Sequence, residues 1–182
     1  MHKRFDVTLF IKDANCLSRR KICAQRHFSS KKNDFIVNAY TYKYPRPAVT
    51  TDCVIFSQLS LEASVLLIRR KHPPFQGHWA FPGGFLNMDE DAPTGALREL
   101  NEETTISGIK LHQIGAFTKV DRDPRGRTIS IAFWGVADPQ QHRPRAADDA
   151  AEAAWFRLKD LPPLAFDHQD ILNEAIKQAA LL

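Results

Sequence analysis

The chain has 182 residues, 43% hydrophobic and 25% charged, with a formal net charge of +4, which suits a one-domain globular protein with a sizeable core. It contains no run of about 18 apolar residues, which argues against a membrane span. Its three cysteines, Cys16, Cys23 and Cys53, are too few to frame a secreted disulfide fold, so a reducing cytoplasm is the default setting.

Charge is unevenly spread. Residues 1–46 hold 11 Lys and Arg against 3 acids, a balance of +8, whereas the remainder holds 14 against 18, a balance of −4. The pI near 9.1 therefore describes a basic N-terminal extension preceding a domain at 47–182. Such an extension suits contact with nucleic acid or an anionic surface; the simpler readings are a solvated arm or a subunit contact. Asp6, Asp13 and the apolar run Phe5–Ile11 fit a transit peptide poorly. Cys16-x6-Cys23-x3-His27 lacks the Cys-x2-Cys knuckle and fourth ligand of a zinc site.

In chain order, Phe5–Ile11 and Phe35–Tyr44 alternate well enough for short strands, the second ended by Tyr44-Pro45-Arg46-Pro47. Ala48–Ser57 and Ala63–Arg70 are β-branched and aliphatic runs that read as a hairpin or neighbouring pair. Trp79 to Phe81 reads as a short buried strand leading into Pro82-Gly83-Gly84. A helix is expected over Thr94–Thr104, capped by Asp91 or Asp89, with Pro93 in its first turn and Ala96, Leu97 and Leu100 facing the core. Strands follow at Leu111–Val120, Thr128–Ala137 and Ala153–Leu158, with a long polar loop at Asp138–Asp149. Asp167 is expected to cap a last amphipathic helix whose Ile171, Leu172, Ala175, Ile176 and Ala179 point inward. This order implies an α/β domain with a mixed sheet between helices.

The most informative stretch runs from Gly84 to Ile106. On a helix, Glu99 lies three and four residues before Glu102 and Glu103, so all three carboxylates share one face. Like charges at this spacing oppose the helix by about 0.2–0.5 kcal/mol per pair. A cation over that face removes the penalty, and all-oxygen donors suit Mg²⁺ or Mn²⁺. Gly83 and Gly84 let the backbone approach a ligand closely.

The spacing Gly84-x5-Glu90-x7-Arg98-Glu99-Leu100-x-Glu102-Glu103-x-Thr105-Ile106 resembles the signature of the Nudix hydrolases, Gly-x5-Glu-x7-Arg-Glu-U-x-Glu-Glu-x-Gly-U, with U aliphatic. The resemblance implies the α/β/α sandwich of that family and metal-dependent hydrolysis of a nucleoside diphosphate linked to another moiety. It makes Glu99 and Glu103 primary metal ligands with Glu102 beside them. Arg98 then orients a carboxylate, and Glu90 supports the loop. Thr105 stands where the family has glycine. A β-branched residue in the left-handed region costs on the order of 1–2 kcal/mol, so the helix is expected to end differently, with Ser107-Gly108 supplying the turn.

Flanking segments are similar to the ADP-ribose pyrophosphatase-like subgroup and to related regulators of NAD metabolism. They are Leu67–Arg70, Phe75 to Gly84, Asp121–Arg127 and the stretches around Trp155 and Phe166-Asp167-His168. ADP-ribose, giving AMP and ribose 5-phosphate, is then the leading substrate, ahead of NADH, a dinucleotide or an oxidised nucleoside triphosphate. Its diphosphate calls for cationic groups and its adenine for an apolar face. Arg69, Arg70, Arg125 and Arg127 are the candidate donors, each also readable as a solvated arginine. Trp79 and Phe75 are candidate stacking residues, or core. Glu152, Asp149 and Asp148 are candidates for a general base, with Glu152 preferred, whereas His168 reads as a structural residue at a helix start. A binding-only regulator is the rival, but such regulators carry a DNA-binding winged helix that is not expected after Leu182, and their boxes are commonly degraded. The subgroup also implies a homodimer with exchanged N-terminal strands; no membrane partner is expected and nucleic acid is disfavoured.

Overall fold

β1 (Ala48–Phe56) is buried along nearly its whole length, as its unbroken apolar run Cys53–Phe56 requires of a central strand. Its alternation divides the core. Val54 and Phe56 enter one apolar cluster with Ile171, Leu172 and Ala175. Cys53 and Ile55 enter another with Ala96 and Leu100. One strand thus serves two layers, with a helix packed on each.

The computed structural model describes residues 42–60, 62–145 and 150–179, and Pro45–Leu182 forms one unit. The expected strand Phe5–Ile11 and all but the last residues of Phe35–Tyr44 lie outside the described residues, as do Asp148 and Asp149. Among the described residues, no helix is long and apolar enough to cross a membrane.

The other elements are β2 (Ser64–Arg70), β3 (Trp79–Ala80), β4 (Gly83–Phe85), α1 (Ala92–Thr104), β5 (His112–Phe117), β6 (Thr128–Val136), β7 (Ala150–Arg157) and α2 (His168–Gln178). They form a seven-stranded mixed sheet between α1 and α2. β1 runs parallel to β6 over its full length, and β2 runs antiparallel to β7. The expected β1–β2 pair is real but meets in register only at Phe56 and Val65. Where the two strands splay apart, β4 pairs with β1 and β3 with β2. That opening carries the Pro82-Gly83-Gly84 turn up to α1.

α1 begins at Ala92, earlier than expected. The Asp91 side chain accepts from the Thr94 amide at 3.0 Å, and Pro93 lies in the first turn. Ala96 and Leu100 are buried, but Leu97 is 38% exposed. It lies outside the core because the sheet covers a narrower stripe of the helix than the apolar pattern suggests. The helix end also departs from expectation. Thr105 itself adopts the left-handed conformation, φ 62°, and its amide donates to Asn101 O at 2.8 Å. A proper cap bond and the burial of Ile106 just beyond offset the strain of the β-branched side chain. Thr105→Gly is therefore expected to stabilise the domain by about 1 kcal/mol, the relief of left-handed strain exceeding the added chain entropy. Urea denaturation measures it.

α2 buries Ile171, Leu172, Ala175 and Ala179 as patterned. Asp167 precedes it, but its side chain makes no cap bond. The carboxylate is taken by Arg122 instead.

Candidate active site

The box residues converge on one guanidinium. Arg98 Nε and Nη2 form a fork on the two Glu90 oxygens at 3.0 and 2.6 Å. Nη1 reaches Glu99 Oε1 at 2.8 Å and Glu102 Oε2 at 3.0 Å, and Nη2 also donates to Phe85 O at 3.1 Å. Lysine has no geometry that reproduces this fan. Glu90 in turn accepts the Asn87 amide at 2.8 Å, so the loop after β4 is pinned to α1 through a single arginine. Glu103, 6% exposed, lies on the inner side of α1, where its Oε2 accepts the Gly83 amide at 2.9 Å.

Two glycines make this approach possible. A Cβ on Gly84 would overlap the Glu99 carboxylate, and one on Gly95 would meet Leu86 and Glu90. Gly95 was not among the expected site residues. Its signal was available: a glycine inside a helical pattern carries a cost that usually has a packing reason.

The electrostatics favour a cation. Glu102 and Glu103 occupy the last turn of α1, which contains no basic residue, so they face the negative end of the helix dipole. Burial pushes the Glu99 carboxyl above its ordinary range, with Arg98 pulling the other way. Among the described residues, no three such donors are drawn into one cluster: Arg98 holds Glu99 and Glu102, and Gly83 holds Glu103. The donor set itself, three carboxylates from adjacent turns of one helix, fits a hard divalent ion.

The remaining candidates divide by sheet face. Residues directly paired across strands share a face, and Arg69 pairs with both Glu152 and Trp79. By alternation these three lie on the α2 face with Val65 and Leu67, away from the box. Trp79 packs edge-on against Phe156 at 4.5 Å in the α2-side core, Arg69 donates to Gly77 O at 3.1 Å, and Glu152 is exposed. The structure therefore does not bring the preferred base, Glu152, or the stacking candidate Trp79 to the carboxylates. Register across strands decides this, and the sequence pattern alone does not display it. Arg127 spans the neck of its own loop, donating to Thr118 O and Lys119 O at 2.8 and 3.3 Å.

Arg70 and Arg125 do converge. Their guanidinium carbons lie 4.9 and 5.6 Å from the Phe166 ring centroid, and Arg125 also covers Phe85 at 4.9 Å. Burial lowers the Arg70 pKa, and Arg125 lowers it further; Glu103 acts the other way. Phe75 meets the same Phe166 ring edge-on at 4.8 Å. Phe75 and Phe166 both have positive φ, 58° and 54°, a strained conformation for bulky residues that is concentrated at functional sites. Two cations and one further aromatic thus gather around the Phe166 ring, with Arg70 in electrostatic reach of Glu103.

His168 is 3% exposed, and its Nδ1 accepts the Phe81 amide at 3.0 Å. Burial keeps the imidazole below its ordinary pKa, with Asp52 and Asp167 opposing this and Arg122 and Arg70 adding to it. As pH falls through about 6.5, the unfolded chain takes up a proton that the folded chain refuses. This part of the stability is present above that pH and lost below it. The drop in Tm from about pH 7.5 to 5.5 is expected to be smaller in His168→Asn than in the parent, as measured by calorimetry.

Comparison with known proteins agrees with this fold. A family model of the NUDIX domain matches residues 46–176. The ADP-ribose pyrophosphatase of Methanocaldococcus jannaschii is 37% identical over 166 residues, covering 89% of this chain and 94% of that protein. The ADPR responsive transcriptional repressor NtrR of Acinetobacter baylyi is 31% identical over 153 residues, covering 82% of this chain and 60% of that protein. The crystal structure of the NUDIX domain of Shewanella oneidensis NrtR complexed with ADP ribose superimposes with a TM-score of 0.68 at 28% identity, covering 76% of this chain and 93% of that one.

Proposed function

The chain belongs to the Nudix family, and from that premise we propose that it hydrolyses the pyrophosphate of ADP-ribose to AMP and ribose 5-phosphate. The observation that carries this is the Arg98 fan, which gathers Glu90, Glu99 and Glu102 beside Glu103 while every charged position of the box is kept. In this reading Glu99, Glu102 and Glu103 hold Mg²⁺ or Mn²⁺. When bound, such an ion neutralises pyrophosphate charge and lowers the pKa of a coordinated water.

The chain's own residues do the rest. Arg98 orients Glu99 and Glu102, Glu90 anchors Arg98, and the Gly83 amide orients Glu103. Arg70 and Arg125 face the diphosphate, and Phe75 with Phe166 offers the apolar border for the base. Asp148 and Asp149 are the proposed candidates for the general base. Residues 1–46 form a basic extension to the Nudix domain. A homodimer and a cytoplasmic setting complete the proposal, the first checked by light scattering of the full chain.

Turnover with Mg²⁺ against ADP-ribose, NADH, diadenosine polyphosphates and oxidised dGTP tests the substrate. ADP-ribose is expected to show the highest kcat/KM, and a higher value for another substrate overturns that assignment. A second reading rests on the likeness to NtrR: binding of ADP-ribose without turnover. It would be favoured by tight calorimetric binding with no AMP released.

A further inference from the structure

On the α2 face of β1, across the sheet from Glu99 and Glu103, lies a buried polar chain that the hydrolytic reading does not use. Asp52, Arg122 and His168 are 7%, 6% and 3% exposed. Well-packed apolar residues would fill this space without the desolvation that buried charges incur, so the chain calls for a role.

Arg122 grips Asp167 through two bonds of 2.9 and 2.7 Å and lies 3.7 Å from Asp52 Oδ2, which also accepts the Ser130 hydroxyl. Because His168 Nδ1 accepts from Phe81, the neutral ring carries its proton on Nε2, and this N–H faces Asp52 Oδ1 at 3.5 Å. The imidazole also stacks on the Phe81 ring, with centroids 5.1 Å apart. Phe81 is thus held by both backbone and side chain.

Two residues later the Gly83 amide donates to Glu103. Between them stands Pro82, whose φ is fixed by its ring and whose carbonyl accepts the Cys53 amide at 2.8 Å. The backbone from Phe81 to Gly83 is a short stiff link, gripped by His168 at one end and bonded to Glu103 at the other. At the far end of the chain, Arg122 belongs to the same loop as Arg125, which lies over Phe85 and Phe166.

We infer that Asp52, Arg122, Asp167 and His168 are positioning residues that tie the Arg125 loop to the Glu103 carboxylate through the Phe81–Gly83 backbone. This rests on the reading of Glu103 as a metal ligand. A merely stabilising network would change the unfolding midpoint alone. Positioning also changes what Glu103 does in the folded protein.

The test uses the full chain at a temperature where circular dichroism shows it native. Mn²⁺ binding without substrate is followed by electron paramagnetic resonance, and kcat and KM are measured separately. His168→Phe, which lacks an acceptor for the Phe81 amide, is expected to weaken Mn²⁺ binding and lower kcat by about tenfold each, with KM within about twofold. His168→Asn supplies an amide oxygen where Nδ1 stood and is expected to recover both to within about threefold. The proposal is overturned if folded His168→Phe binds Mn²⁺ and turns over like the parent, or if His168→Asn is as impaired as His168→Phe.

If the parent itself binds no Mn²⁺, the metal reading of Glu103 fails. Hydrogen exchange at the Gly83 amide then decides: lost protection in His168→Phe supports the positioning link, and unchanged protection overturns it. Should His168→Phe not fold, Asp167→Asn, which weakens the grip on Arg122, carries the same expectations.

Discussion

Glu103→Gln is expected to lower kcat by about 10³-fold or more and to leave the unfolding midpoint within a few degrees of the parent. The substitution removes one anionic oxygen from the proposed metal site, and a loss of this size corresponds to about 4 kcal/mol of transition-state stabilisation. The fold is spared because the structural duty of Glu103 is to accept the Gly83 amide, which the glutamine carbonyl oxygen also does. Steady-state kinetics and thermal unfolding on the same preparation separate the two effects. Near-parental turnover in this variant would remove Glu103 from the catalytic set.

Two adjacent glycines are expected to fail in different ways. In Gly83→Ala the new methyl overlaps the Thr51 carbonyl oxygen and crowds the Asp52 backbone. Neither can swing aside, since Thr51 and Asp52 belong to β1 and pair in register with Gly84 and Gly83. The β1–β4 contact must open, at a cost on the order of 3 kcal/mol, or roughly 10 °C in Tm. In Gly84→Ala the overlapped atoms are those of the Glu99 carboxylate, the free end of a flexible side chain. That protein keeps its fold but loses Glu99 from its place, so divalent-ion affinity is expected to fall by about tenfold or more with little change in Tm. Equal thermal losses in the two variants would contradict this separation.

What was legible in the sequence was local. The carboxylate face of α1, the Asp91 cap and the apolar stripe of α2 follow from helical periodicity over a dozen residues. So does the mixed sheet between helices, from the order of the elements. What was not legible depends on partners far along the chain. His168 meets Phe81 across 87 residues, Ser130 meets Asp52 across 78, and Arg122 meets Asp167 across 45. Asp167 looked like a helix cap because nothing nearby in sequence announced Arg122. Arg69 and Trp79 looked like site residues because they fall in segments similar to the subgroup, and Glu152 because it reads as a loop residue. It lies in β7, and only cross-strand register reveals that all three face the other layer. Thr105 was misjudged for another reason. Local steric preference favoured Gly108 as the turn, but the burial of Ile106 just past the helix end fixed the reversal one residue after Thr104.

β1 constrains how the gene can vary in length. Successive residues Asp52 and Cys53 serve opposite layers, one in the buried polar chain and the other beneath α1, while three strands read the register of β1 at once. A single-codon insertion or deletion between Ala48 and Asp52 would turn every later side chain of the strand to the wrong layer, setting the Asp52 carboxylate on the α1 side and withdrawing it from His168. In a library of one-residue insertions, this strand should be nearly empty of functional survivors, whereas the loop at Asp138–Arg145 should accept them freely.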